Sequence, residues 1–176
     1  HRAKKYAQAI IAVSQATRTD LVEQGISPEK IHVVYEAAGA IFKPTKTPGF
    51  KEKYQLTKPF ILSVGTQEPR KNLQRLIQAW QPLQLQFNLV IVGKFGWGEA
   101  ARPNPGIKLL GFVTDEVLAE LYSNAAVFAY PSLYEGFGLP VVEALSCGCP
   151  VVTSNCSSLP EVGGDAAIYV DPKSII

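Results

Sequence analysis

Short runs of apolar residues alternate with amphipathic stretches along the 176-residue chain. The apolar runs predict strands at residues 9–14, 31–35, 60–64, 89–92, 108–110, 127–130, 151–153 and 168–170. Helical spacing predicts helices between them, at 15–24 with Ser14 as N-cap, around 73–80, after a Thr114 cap, and from near Leu139 and Leu159. Strands that are apolar throughout and separated by single helices are typical of a parallel sheet covered on both faces. We therefore predict an α/β fold, a Rossmann-like doubly wound parallel sheet with right-handed crossovers.

The periodicity is lost between residues 36 and 58. This stretch collects Gly39, Pro44, Pro48 and Gly49. Glycine and proline interrupt both helices and strands, so we predict a linker here, with one helical turn near residues 50–54.

Composition narrows the classes of function. Apolar residues make up 47% of the chain and charged residues 18%, so the chain can bury a core. The net charge of +2 gives no reason to expect nucleic-acid binding through bulk charge. No apolar run reaches the roughly 18 residues of a membrane span. Three cysteines are an odd number in a long chain, which argues against a disulfide framework and favours a reduced, cytoplasmic protein.

The first candidate site follows strand 60–64. Ligands of open α/β sheets bind beyond the carboxyl ends of the strands, which draws attention to Gly65 and to Arg70 and Lys71. We predict these two cations in the first turn of the next helix, where the helix dipole disfavours positive charge and a bound anion would resolve the conflict. The alternative is a solvated pair of cations on an exposed loop. No Gly-x-Gly-x-x-Gly or Gly-Lys-Ser/Thr sequence occurs, which argues against dinucleotide dehydrogenases and P-loop proteins.

The second candidate site follows strand 127–130 and runs from Glu135 to Glu143. We predict positive φ at Gly136 and Gly138, which would let the backbone approach a ligand closely. Free N–H groups at the start of the next helix would form an anion site. Both carboxylates are expected to face one cleft, where the hydroxyls of a sugar would satisfy them. The alternative for Glu143 is stabilisation of the helix dipole from the first turn.

Glu135 and Glu143, with seven residues between them, resemble the E-x7-E motif of the retaining GT-B glycosyltransferases of family 4. Further segments resemble the same family in the same order, namely residues 68–72, 111–113, 130–134, 147–152 and 157–161. Residues 11–14 and 31–34 are similar to the closing βαβ segment of the family's N-terminal domain. The resemblance therefore covers almost the whole chain.

The resemblance implies a donor site whose catalytic residues are Arg70, Lys71 and Glu135. Arg70 and Lys71 would bind the diphosphate of a nucleotide-sugar donor and stabilise the charge of the leaving group. Glu135 would bind hydroxyls of the donor sugar, and Glu143 would accept hydrogen bonds from the ribose hydroxyls. The remaining donor-binding residues would be Gly65, Thr66, Gly136, the backbone N–H groups of Phe137, Gly138 and Leu139, and the backbone near Val113, which would read the base. Many family members carry Arg where this chain has Thr66, so phosphate binding is expected to rest on Arg70 and Lys71.

The implied activity is the transfer of a hexose, with a mannose-like sugar favoured, to an acceptor hydroxyl with retention of configuration. The donor would be GDP- or UDP-linked, and neither a metal, another cofactor nor nucleic acid is expected. The acceptor, a glycan or lipid-linked glycan, would bind through the N-terminal domain. The full enzyme would lie in the cytoplasm, with peripheral association at the inner face of the cell membrane. The alternatives are a non-catalytic nucleotide-binding module and an isolated fragment of the fold.

The resemblance also divides the chain. Residues 1–42 would be the end of an N-terminal Rossmann-like domain, 43–58 a linker, and 59–176 a C-terminal nucleotide-sugar-binding domain truncated before its last helices. The chain has no methionine and opens in a helical pattern, which leads us to expect a fragment of a two-domain transferase.

Overall fold

The computed structural model describes residues 6–45, 47–98, 101 and 104–175. The strands and helices in this part are β1 Ile10–Ala12, α1 Gln15–Glu23, β2 Ile31–Val33, α2 Phe50–Lys53, β3 Phe60–Val64, α3 Leu73–Trp80, β4 Asn88–Val92, β5 Ile107–Gly111, α4 Asp115–Asn124, β6 Val127–Tyr130, α5 Leu139–Ser146, β7 Val151–Ser154, α6 Leu159–Gly163 and β8 Ala167–Val170. Among these residues no helix is both long and apolar enough to cross a membrane. The helical pattern that opens the chain falls largely on residues 1–5, which lie outside the described residues.

Two parallel sheets organise the chain. β1 and β2 form a small two-stranded sheet, and the other strands form a six-stranded sheet in the order β5-β4-β3-β6-β7-β8. Every strand pair in the larger sheet is parallel. The chain therefore runs outward from β3 to one edge and then returns to β6 to run toward the other. This doubly wound order confirms the predicted fold class.

The central strands of the larger sheet are buried on both faces, which explains why they are largely apolar. Leu62, Val90 and Phe128 contribute to one hydrophobic cluster, whereas Ile61 and Leu89 contribute to another. Successive residues of a strand point to opposite faces, so β3, β4 and β6 each contribute buried residues to both clusters. Helices cover both sides, and α3 buries Trp80 in the second cluster, as helix packing predicts.

The segment predicted as a linker contributes to the larger core. Phe42, Phe50 and Leu56 are buried there, and the rings of Phe50 and Phe60 stack with centroids 5.7 Å apart. The predicted helical turn is present as α2. Residues 42–56 are therefore anchored to the six-stranded sheet by apolar side chains.

The two predicted helix caps have different outcomes. Ser14 caps α1 as expected, because its side chain accepts a hydrogen bond from the N–H of Thr17. Thr114 occupies the N-cap position of α4 but makes no such bond. The hydroxyl of Thr114 lies close to the Glu116 carboxylate and lowers the pKa of Glu116.

Gly93 provides a test of how closely the loop after β3 and the loop after β4 approach each other. Its φ is +134°, and a Cβ built there would lie 2.0 Å from the carbonyl oxygen of Gly65. Gly93→Ala should lower the free energy of unfolding by about 3 kcal/mol, because the two loops would have to separate. Gly111→Ala is the matched control, since its φ is +64° and a Cβ there meets nothing within 4 Å.

The control should cost only about 1 kcal/mol, from backbone strain alone. Urea unfolding at equilibrium measures both variants. Equal losses of stability in the two would contradict the close approach.

Candidate functional site

The two candidate segments meet at the point where the strand order reverses. β3 and β6 are neighbours in the sheet but lead to strands on opposite sides, so the loops after them flank a crevice at the carboxyl edge. Asn72 joins these loops, because its Nδ2 donates to the carbonyl of Pro131 at 3.0 Å. The N–H of Leu133 donates to the carbonyl of Arg70 at 2.8 Å. The crevice is thus built by contacts between residues more than 50 positions apart in sequence.

A buried carboxylate lies between two cations in this crevice. Glu135 places one carboxylate oxygen 2.8 Å from Lys71 Nζ and the other 2.7 Å from Arg70 Nη1. The Arg70 guanidinium also bonds Glu68 at 2.6 Å and donates to the carbonyl of Tyr134 at 2.8 Å. We call Arg70, Lys71 and Glu135 the charged cluster. Its geometry brings together all three residues that were expected to be catalytic.

The electrostatics of the charged cluster favour a charged Glu135. Burial raises the pKa of its carboxyl, but the hydrogen bond and positive charge of Lys71, together with smaller contributions from neighbouring hydroxyls, outweigh burial, and the net shift is downward. Tyr130 extends the cluster, since Lys71 Nζ donates to its hydroxyl at 2.6 Å and lies 4.8 Å from the ring centroid. Burial and the Glu135 charge raise the pKa of Tyr130, which keeps the phenol protonated.

Arg70 and Lys71 do not lie in the first turn of a helix, which corrects the sequence prediction. They belong to a 3-10 turn at Pro69–Lys71, and α3 begins only after Asn72, whose φ is +59°. Asparagine tolerates this left-handed conformation better than most residues and so separates the turn from the helix. The alternative of a solvated pair does not fit Lys71, whose side chain is only 15% exposed, whereas the Arg70 side chain is 38% exposed. Glu68 and Glu135 together balance the two positive charges.

The glycine loop, residues 135–139, leads from the charged cluster into α5. Gly138 has the predicted positive φ, at +116°, and it provides the N-cap of the helix. Gly136 does not have positive φ, which corrects the second prediction. A Cβ at Gly136 would lie 3.7 Å from Thr17 Oγ1, an ordinary contact, so neither backbone conformation nor crowding requires glycine there.

Side-chain hydroxyls hold the carbonyl groups of the glycine loop. Ser158 Oγ lies 3.0 Å from the carbonyl oxygen of Glu135 and 2.5 Å from that of Phe137, so its single hydroxyl proton is shared between the two. Ser157 Oγ accepts from the N–H of Glu135 at 3.0 Å. Within the described part of the chain, no hydrogen bond engages the N–H groups of Gly136, Phe137, Gly138 and Leu139. Consecutive free N–H groups at a helix start can bind an anion or the oxygens of a ligand.

Glu143 lies apart from the charged cluster. It is the fifth residue of α5, and the first turn of this helix contains no acidic residue, so the helix-dipole interpretation is wrong. Its carboxylate accepts a hydrogen bond from the hydroxyl of Tyr122, which is completely buried, at 3.1 Å. Burial and the nearby Asp115 raise the pKa of Glu143 against the lowering effect of Tyr122. No hydrogen bond or ion pair in the described residues joins Glu143 to the cluster.

The remaining predicted site residues occupy three other positions. Gly65 has φ +140° and lies against the Lys71 side chain, whose Cε would be 3.0 Å from a Cβ at residue 65. Thr66 is exposed and borders Gly96 in the loop after β4. Val113 is half-buried and packs against the larger core. Thr66 and Val113 are thus not drawn into the charged cluster.

Sequence reasoning missed the hydroxyl groups that support the site. Tyr130 contacts Lys71, Tyr122 contacts Glu143, and Ser158 contacts the glycine loop. Two of them carry a visible signal, since Tyr130 ends an apolar strand and Ser158 directly precedes a helix. Their partners depend on long-range packing that spacing does not reveal. In the described residues, no group of three or more His, Cys, Asp and Glu side chains could hold a metal ion.

A family model described as "Glycosyl transferases group 1" matches residues 46–175. The chain is 38% identical over 192 residues to O-antigen chain mannosyltransferase B of Escherichia coli, covering 99% of this chain and 50% of the relative. It is 34% identical over 194 residues to the serotype-specific mannosyltransferase WbdA of Escherichia coli, covering 96% of this chain and 23% of the relative. The chain thus spans half or less of the length of these relatives.

Structural comparison supports the same fold. The crystal structure of Anabaena HepE in complex with UDP-glucose matches with a TM-score of 0.86 and 24% identity, covering 98% of this chain and 52% of that one. At this identity the likeness concerns the fold alone. It confirms the GT-B architecture that the sequence predicted.

The charge on Glu135 should make a pH-dependent contribution to stability. Glu135→Gln removes the carboxylate between two cations and should cost about 2 kcal/mol at pH 7. Because the pKa of Glu135 is lowered in the folded state, this contribution is present above the unfolded pKa of about 4.3. It is lost as the pH falls through the lower, folded pKa.

Unfolding in urea between pH 7 and pH 3 measures the difference between wild type and variant. Glu52→Gln, at an exposed carboxylate outside the charged cluster, is the control and should leave the difference small at every pH. A wild-type advantage over Glu135→Gln that persists unchanged at pH 3 would contradict the assigned charge.

Proposed function

The chain belongs to the glycosyl transferases group 1 family, and on that premise we propose that it binds the donor in a retaining, family-4 glycosyltransferase. Residues 1–42 would be the end of the N-terminal domain, 43–58 the linker and 59–176 the donor domain. The two relatives named above are mannosyltransferases, one of them of an O-antigen chain, which favours a mannose-like hexose as the transferred sugar. HepE was crystallised with UDP-glucose, which favours a nucleotide-linked donor, here carried on GDP or UDP.

The observation that carries the proposal is the charged cluster at the reversal of the strand order. Two cations share one carboxylate at 2.7 and 2.8 Å, in a crevice where sheets of this type bind their ligands. Diphosphate oxygens carry negative charge, as the oxygens of the Glu135 carboxylate do. They would bind the planar guanidinium of Arg70 through two parallel hydrogen bonds and the ammonium group of Lys71. The free N–H groups of the glycine loop would supply further donors to the same ligand.

The chemical demand of the reaction is the charge of the leaving group. The bond between the anomeric carbon and the diphosphate oxygen breaks, the bond to the acceptor oxygen forms, and the acceptor proton is released. Negative charge grows on the diphosphate, and fixed cations and N–H groups stabilise that charge without reorganising. We assign this role to Arg70, Lys71 and the glycine loop, with no metal ion.

The two carboxylates would then bind hydroxyl groups. Once the diphosphate takes the two cations, Glu135 can accept hydrogen bonds from hydroxyls of the donor sugar. Glu143 would accept from the ribose hydroxyls, held in place by Tyr122 at 3.1 Å. Gly65, Thr66, Gly136 and the backbone near Val113 would line the remainder of the donor cleft. The acceptor, a glycan or lipid-linked glycan, would bind through the N-terminal domain of an enzyme working in the cytoplasm at the inner face of the membrane.

Lys71→Ala tests the electrostatic role in the intact enzyme. It should lower kcat/KM for transfer by about 100-fold or more, because removing one preorganised donor to a developing charge costs about 3 kcal/mol. Lys51→Ala, at an exposed lysine of α2, is the control for loss of a positive charge and should stay within twofold of wild type. Steady-state kinetics with a saturating acceptor compare the variants. Activity of Lys71→Ala within twofold of wild type would contradict the assigned role of Lys71.

Calorimetry with this chain separates the alternatives. We expect UDP or GDP, and the corresponding hexose conjugate, to bind with an affinity that falls at least tenfold in Lys71→Ala. Binding of a nucleotide without transfer by the intact enzyme would favour the non-catalytic module. A chain that stays folded but binds none of these nucleotides would contradict the donor role and favour an isolated fragment of the fold.

A further inference from the structure

Two hydroxyls of the small β1–α1–β2 unit contact the glycine loop across the boundary between the sheets. Ser14 Oγ donates to the carbonyl of Gly136 at 2.6 Å, and Thr17 Oγ1 donates to the same carbonyl at 2.8 Å. Ser14 is completely buried. One backbone oxygen of the site thus accepts two hydrogen bonds from residues more than 110 positions earlier in the chain.

A second contact fixes the same end of α1. The Glu161 carboxylate, from α6, accepts from the N–H of Gln15 at 2.8 and 3.0 Å and from that of Ala16 at 3.3 Å. The first turn of α1 contains no acidic residue of its own. The Glu161 carboxylate, which belongs to α6, therefore accepts hydrogen bonds from the first N–H groups of α1. Its negative charge also stabilises the positive end of the helix dipole. The position of Ser14 and Thr17 is consequently tied to the six-stranded sheet.

Because of peptide geometry, these contacts also determine the direction of N–H groups in the glycine loop. In a trans peptide the C=O and the following N–H point in opposite directions. The carbonyls of Glu135 and Phe137 are held by Ser158, and that of Gly136 by Ser14 and Thr17. The three N–H groups that follow these carbonyls are therefore fixed in direction by hydroxyl groups, and none of them has a hydrogen-bond partner among the described residues.

We propose that Ser14 and Thr17 are positioning residues for the donor, because by holding the Gly136 carbonyl they orient the Phe137 N–H toward the ligand. Donor affinity then depends on the position of α1 against the glycine loop. This inference rests on the proposed function. The Gly136–Phe137 peptide is the one of the three that Ser158 does not hold. Without the two hydroxyls it would be free to rotate, because glycine adopts a wide range of backbone conformations.

The test is the double variant Ser14→Ala/Thr17→Val. We expect the carbonyl ¹³C resonance of Gly136 and the amide ¹⁵N resonance of Phe137 to shift in the ligand-free protein, since both report this hydrogen bonding. In calorimetry the affinity for UDP or GDP should fall about tenfold, as for the loss of a ligand hydrogen bond. In the intact enzyme the donor KM should rise by a similar factor, with a smaller change in kcat.

Matched variants control for a general effect on folding. Thr19→Val removes a hydroxyl of the same helix that bonds only within α1, to the carbonyl of Gln15 at 3.0 Å, and should leave resonances and affinity unchanged. Thr17→Ser keeps the hydroxyl and should keep the affinity within twofold of wild type. If the double variant does not fold, Thr17→Val alone retains the Ser14 cap and should show the same changes at smaller size.

The outcomes separate the two claims. Resonances of Gly136 and Phe137 that stay in place would overturn the inference. Shifted resonances with wild-type nucleotide affinity and KM would also overturn it, because the contact would then be structural only. A wild-type chain that binds no nucleotide would overturn the proposed function and, with it, the role of Ser14 and Thr17 toward the donor.

Discussion

The Glu135 carboxylate is buried between two cations from a different loop, and the carboxyl edge of the sheet depends on that contact. A buried carboxylate without partners would be costly, and so would a largely buried Lys71. Their pairing is possible because β3 and β6 are neighbours, which brings the loops after them together. The pairing also holds Arg70 and Lys71 at the point where the strand order reverses, which is where sheets of this type bind their ligands. A diphosphate that binds there must compete with Glu135 for Arg70 and Lys71.

A second constraint complements the first, since hydroxyl groups hold the backbone of the glycine loop by its carbonyl oxygens. Ser158 does so from the N-cap of α6, and Ser14 and Thr17 do so from the N-terminal end of α1. Within the part of the chain that the structure describes, the N–H groups of residues 136–139 have no hydrogen-bond partner. The crevice therefore combines the side-chain charges of Arg70, Lys71 and Glu135 with the backbone dipoles of the glycine loop. Fixed dipoles stabilise developing charge most effectively, because no reorganisation accompanies the reaction.

The sequence predicted the scaffold well and the contacts within the site poorly, for physical reasons. Apolar runs such as Phe60–Val64 are dictated by burial on both faces, so they identify strands without knowledge of their neighbours. The pairing of Glu135 with Lys71 depends on strand order, which local spacing does not contain. The left-handed Asn72, which separates the two cations from α3, and the ordinary backbone of Gly136 are likewise set by tertiary contacts. The residue type shows which backbone conformations a position can adopt, whereas tertiary packing determines which of them it does adopt.

The most direct measurement is a crystal structure of this chain with a bound nucleoside diphosphate. The account predicts diphosphate oxygens within about 3 Å of Lys71 Nζ and of the Arg70 guanidinium, with N–H groups of the glycine loop as further donors. The Glu135 carboxylate should have moved away from at least one of the two cations. A diphosphate bound elsewhere, with Glu135 still paired to both Arg70 and Lys71, would contradict the account.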